Sequence, residues 1–107
     1  MMSEDAKLTI ACDLNALTSP ERERRRVLAA TFARAVIGRG ELADGFEFHV
    51  DPAKFDLPSL AEWIALEHRC CPFLHFRIEV GPTDAHTVVA LSGSEKVKEF
   101  LRAELGA

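Results

Sequence analysis

Hydrophobic and polar residues alternate along this chain with a period that keeps switching, and each switch marks an element. KLTIACDL sets Leu8, Ile10, Cys12 and Leu14 on one side at a period of two, which predicts a half-buried strand with Cys12 on its apolar side. TSPERERRRVLAATFARAVIGRG then repeats at helical spacing through Leu28, Phe32, Ala35 and Val36. Thr18 or Ser19 can cap this helix, Pro20 suits its first turn, Thr18 with Glu21 fits a capping box, and Gly38 supplies a stop. GFEFHV returns to a period of two, with Phe46, Phe48 and Val50 on one side and Glu47 and His49 on the other, after a turn at Gly45.

LPSLAEWIALEHRC predicts a second helix, with Pro58 in its first turn and Ser59 and Glu62 as a capping box. Its apolar stripe runs through Leu60, Trp63 and Ile64 and continues over Glu67 to Cys70 and Cys71. Pro72 disfavours helical geometry at Cys71, so the helix ends there. FLHFRIEV is a third strand, with Phe76, Ile78 and Val80 opposite His75, Arg77 and Glu79. GPTDA reads as a turn, HTVVALS as a fourth strand in a hairpin with the third, and SEKVKEFLRAEL as a closing helix with Val97, Phe100, Leu101 and Leu105 inward. The order β-α-β-α-β-β-α predicts an α+β fold: a four-stranded, mainly antiparallel or mixed sheet with three helices on one face. Residues 1–6 read as a flexible polar tail and residues 7–107 as a single domain.

Composition changes this picture little. The 107 residues, 48% hydrophobic and 28% charged, suffice for one core. Thirteen basic against seventeen acidic residues leave a net charge of -4, which argues against a nucleic-acid partner. MMSEDAK lacks the apolar run of a secretory signal, and no stretch is long enough to span a membrane, so the cytoplasm, where thiols stay reduced, is the expected compartment.

The candidate chemistry lies in EHRCCPFLHF, Glu67 to Phe76. Three cysteines make a poor disulfide framework, and a bond between the adjacent Cys70 and Cys71 would close a strained ring. The pair sits at a helix C-terminus with Glu67 one turn back, both of which disfavour a thiolate, while His68 and Arg69 favour one. That balance does not suit a tuned nucleophile. A soft metal ion reverses it, because its own charge drives thiol deprotonation. Cys70, Cys71 and Glu67, with Cys12 if the second helix packs on the first strand, then form a ligand set for zinc, copper or mercury, and His75 or Glu67 is the fourth ligand that zinc requires. Against this stands plain packing: free cysteine is among the most buried residue types. Glu67 on an apolar stripe has its own structural explanation, an ion pair with an arginine of the first helix. ERERRR is a solvated helix face, or else Arg24 or Arg25, near the extension of the apolar stripe, turns inward. His49, His75 and His86 all fall on the wetter sheet face, where they are solvated polar positions or a second metal site.

The Glu67–Phe73 stretch, Phe76, and LSGSEKVKEFL from Leu91 to Leu101 resemble a family of small bacterial proteins that carry a Glu-Arg-x-Cys-Cys-Pro-Phe segment. The strand with Cys12 and the arginine-rich first helix look similar too, and His68 stands where that pattern has arginine. The resemblance implies no activity. The residues themselves point to a binding or sensing module for a soft metal ion or a small thiol-reactive ligand. The alternatives are an interaction domain that joins two copies as a homodimer around structural cysteines, and a cysteine-based redox enzyme.

Overall fold

The computed structural model describes residues 12–83 and 85–105. Helix α1 (Ser19–Ala35) leads directly into strand β1 (Val36–Leu42), and β2 (Gly45–Val50), α2 (Leu57–Cys70), β3 (His75–Glu79), β4 (Thr87–Ser92) and α3 (Glu95–Leu105) follow. The strands form one sheet in the order β1-β2-β4-β3, antiparallel at every pairing. The α+β class, the four strands and the three helices on one face are as the sequence predicts.

The membership of the sheet is not. Residues 7–11 of the predicted first strand, like the tail over residues 1–6, lie outside the described residues. Cys12 and Asp13 are not in a strand, and Leu14–Ala16 form a single 3-10 turn capped by the Asp13 side chain. The fourth strand is β1, in a segment read as a helix end. Its cause is the turn that follows. Leu42 pairs with Gly45, so Ala43 and Asp44 make a two-residue hairpin loop closed by Gly45. The pairing pulls Val36 out of the helix, and the register slips once between Val36 and Gly38. Two glycines, Gly38 and Gly40, hide the period of two that would have shown a strand.

Local signals set the helix starts. Thr18 caps α1 in a reciprocal box, its hydroxyl accepting from the Glu21 amide at 3.3 Å while the Glu21 carboxylate accepts from the Thr18 amide at 2.8 Å. In α2 the cap is Asp56 and not the predicted Ser59 box: its carboxylate accepts from the Ser59 amide at 2.9 Å. An aspartate three residues earlier satisfies the same orphan donors, so the helix starts sooner.

The core lies between the sheet and the helices. Phe46, Phe48, Val50, Val89 and Leu91 supply the sheet side, and Leu28, Phe32, Leu60, Trp63 and Leu101 the helical side, all buried. Phe32 is the hub, stacked on Trp63 at 4.4 Å and edge-on to Phe48 at 5.7 Å and Phe55 at 6.2 Å. Gly45 is buried where β2 passes β4; a Cβ there would strike the Leu91 carbonyl oxygen and approach the Ser92 Cα to 2.7 Å. Gly45→Ala is therefore expected to cost about 2 kcal/mol or more in urea unfolding, because the obstacle is backbone that cannot rotate away. A variant as stable as the parent would show that the two strands separate more easily than their register implies.

Candidate metal and thiol centre

Cys70 and Cys71 lie three and four positions after Glu67, which puts their side chains on its side of the last turn of α2. The helix closes as expected at the proline: Cys71 is the cap, its amide donating to the Glu67 carbonyl at 2.7 Å, and the Leu74 amide then donates to the Cys71 carbonyl at 3.1 Å.

Cys12 reaches the same place without a strand. The Asp13 amide donates to the Cys70 carbonyl at 2.8 Å, which lays the segment before α1 along the end of α2. Two arginines hold it there. Arg69 donates to the Ala16 carbonyl at 2.9 Å and pairs with Glu21 at 2.7 Å; Arg22 donates to the Leu17 carbonyl at 2.8 Å. Arg69 and the capping hydrogen bonds hold the Glu21 carboxyl well down, to about 2. The Cα atoms of Cys12 and Cys71 stand 4.8 Å apart, and the two residues form a disulfide. A count of three cysteines says nothing about which two a tertiary contact brings together. Cys70 is the one free cysteine of the three.

The four residues make one compact cluster. The Cys70 and Cys71 sulfurs are 3.7 Å apart, Cys71 Sγ is 3.6 Å from Glu67 Oε1, and Cys70 Sγ is 4.0 Å from it. One ligand atom from each of Cys12, Glu67, Cys70 and Cys71 can be chosen so that all lie within 4.8 Å of one another, and the group could hold a metal ion. Cys70, Cys71 and Glu67 are buried and Cys12 is half-buried.

The inward arginine is Arg25. Its guanidinium pairs with Glu67 at 3.1 Å and lies 3.8 Å from Cys12 Sγ. Burial pushes the Glu67 carboxyl up, against the pull of Arg25. Burial, and then the Glu67 charge, push the Cys70 thiol up as well. Neither shift suits a low-pKa nucleophile. The cations weighed from sequence lie elsewhere: Arg69 is spent on Glu21 and Ala16, and His68 is exposed, edge-on to Phe76 at 6.1 Å. Arg24 pairs with Glu62 at 2.9 Å on the surface.

His75 does not join the cluster. It opens β3 opposite Ser92, which points away from the helices, and it is exposed. The fold brings Glu67, and not His75, to the sulfurs. Of His49, His75 and His86, His49 in β2 and His86 just before β4 touch, with ring centroids 5.2 Å apart. His49 Nε2 is 3.1 Å from a Glu47 carboxylate oxygen.

Sequence reasoning missed the space above this cluster. A cavity of about 340 Å³ opens against Cys12, Arg25, Glu67 and Cys71. Its walls are Ala29 and Phe32 of α1, Trp63 of α2, Phe48 and Leu91 of the sheet, and Leu101 of α3. Each of these reads as ordinary core in a linear pattern; that they leave a gap is a property of three helix positions together. Among the described residues, Arg25 Nε and Trp63 Nε1 are buried donors without a hydrogen bond. The polar end of the cavity is thus left unfinished by the protein. Among the described residues, no helix is long and apolar enough to cross a membrane.

Compared with known protein families, with curated proteins and with solved structures, the chain matches none.

Proposed function

We propose that this chain is a soft-metal-binding module whose donor set is Cys12, Cys70, Cys71 and Glu67, and that the Cys12–Cys71 disulfide is its oxidised, closed form. The observation that carries this reading is the spacing of the donors. Two thiolates on one tetrahedral ion, each about 2.3 Å from it, lie about 3.8 Å apart. The Cys70 and Cys71 sulfurs stand at 3.7 Å and Cys71 at 3.6 Å from Glu67. Reduction by an external dithiol frees the two bonded sulfurs and completes a set of three thiols and one carboxylate. Three thiolates alone suit mercury(II) or copper(I); zinc takes Glu67 as the fourth ligand. Arg25 offsets the surplus negative charge. A reducing compartment such as the cytoplasm is where this form would persist.

The test is a titration of reduced protein with zinc, copper(I) and mercury(II), together with elemental analysis of protein purified under reducing conditions. The parent is expected to hold one ion per chain. Cys70→Ser with Cys71→Ser is expected to lose it, because a hydroxyl is a poor ligand for soft ions. Equal binding by the double variant would end this reading.

A second reading, thiol redox chemistry, is favoured by one observation: the free Cys70 sulfur lies 3.7 Å from a sulfur of the disulfide. Attack by Cys70 on Cys71 would form a Cys70–Cys71 bond and release Cys12 as the thiolate. The raised Cys70 thiol makes that attack slow at neutral pH. Rapid alkylation of Cys70 in oxidised protein would favour the redox reading over the metal one.

A further inference from the structure

A bare ion has no use for the apolar space beside its ligands. Thiolates and a carboxylate at bonding distance enclose it fully, and a cavity of about 340 Å³ is many times larger than such an ion needs. The space is open on one side, where the exposed Ala33, Arg39 and Glu104 form its rim, so a ligand can enter it from solvent. Here the space is continuous with the donor cluster: Cys12, Cys71 and Glu67 line it, while Cys70 does not. Its opposite wall is aromatic and aliphatic, with the stacked Phe32 and Trp63 rings 4.4 Å apart and Ala29 of α1 facing the same space as Leu101 of α3. A ligand that fills both parts has a soft, sulfur-seeking end and an apolar body.

We propose that this site takes a soft-metal cation bearing one apolar organic substituent, of the arylmercury type, with the metal on the cysteine sulfurs and the substituent in the cavity. The inference rests on the metal-binding reading above and adds the ligand class. Binding is ligand exchange. The first metal–sulfur bond displaces a thiol proton, which leaves with the anion or small thiol that accompanied the cation, and a second bond releases its thiol proton to water. The disulfide is first opened by two electrons from an external dithiol. A cation with one organic substituent needs at most two further sulfurs, and Cys12 and Cys71 are the two that face the cavity. The substituent then packs against Phe32, Trp63 and Leu101, where an aryl ring buries more surface than a methyl group.

The experiment uses reduced full-length protein and three probes, phenylmercury, methylmercury and the mercuric ion. Each competes against excess small monothiol so that intrinsic mercury–sulfur affinity cancels. The parent is expected to favour phenylmercury over methylmercury on the order of tenfold or more. Ala29→Leu, which fills the wall, and Ala33→Phe, at the exposed rim of the same cavity, are expected to bring that preference close to one. Both should bind the mercuric ion as the parent does, which also reports that they fold. A parent that binds the mercuric ion without an aryl preference, or variants that both retain the preference, would overturn this inference and leave the metal reading standing. Failure of the parent to capture any of the three probes would overturn both.

Discussion

Replacing Arg25 by methionine is expected to destabilise the protein by about 2–3 kcal/mol near neutral pH. The substitution keeps an unbranched apolar stem and removes the charge that faces Glu67 at 3.1 Å. It leaves a buried carboxylate with no cation, and that uncompensated charge is the source of the loss. The figure sits at or below the low end for buried pairs because Arg25 retains 23% of its side-chain exposure, so solvent already screens the contact. The pH dependence has a definite sign. Burial raises the folded-state pKa of Glu67 above its ordinary value of 4.5 even with Arg25 present. A raised carboxyl contributes stability that is fully present below the unfolded value and is lost as pH rises through the folded one. Removing Arg25 lifts the folded value further. The gap between parent and variant should therefore be small near pH 4.5 and widen as pH climbs above it. Adding Glu67→Gln to Arg25→Met should recover much of the loss and flatten the profile. Urea midpoints across this range check it; a gap that does not change with pH would mean that Glu67 is not the group left exposed to the loss.

Loss of the Cys12–Cys71 bond should have the larger effect. It joins residues 59 apart in sequence, and a loop of that length corresponds to about 4 kcal/mol of chain entropy removed from the unfolded state. Cys12→Ala, or simple reduction of the parent, should lower the melting temperature by roughly 15–25 °C for a domain of this size. The metal reading adds a second expectation. Mercury(II) or zinc should restore part of the lost stability to the reduced parent, since a ligand that binds only the folded state stabilises it. It should restore less to Cys12→Ala, which lacks one donor. Calorimetry of the oxidised, reduced and metal-loaded forms reads both. Equal melting temperatures for oxidised and reduced protein would show that the bond does not constrain the chain.

Legibility in the sequence follows the range of the interaction. The end of α2 was readable because its causes are adjacent: Pro72 forbids helical geometry at Cys71, and spacings of three and four gather Glu67, Cys70 and Cys71. The Thr18–Glu21 box was readable for the same reason. β1 was not, because its identity comes from pairing with β2 across a two-residue loop, and its glycines carry no apolar period. Arg25 could be named as a residue that turns inward or stays in solvent, and local spacing does not choose between the two. The ion pair with Glu67, 42 positions away, does. His75 shows the converse: chemistry and nearness in sequence made it a candidate, and the pleat of β3 sent it to the other face of the sheet.

The sequence by itself determined the class of fold, the helix that carries the two cysteines and the carboxylate placed beside them, because period, caps and a proline act within a few residues. Only the tertiary structure decided that Cys12 meets Cys71, that Arg25 answers Glu67, and that three helices leave an apolar space against their sulfurs. Those facts depend on how separate elements are placed against one another, and a linear pattern holds no measure of that placement.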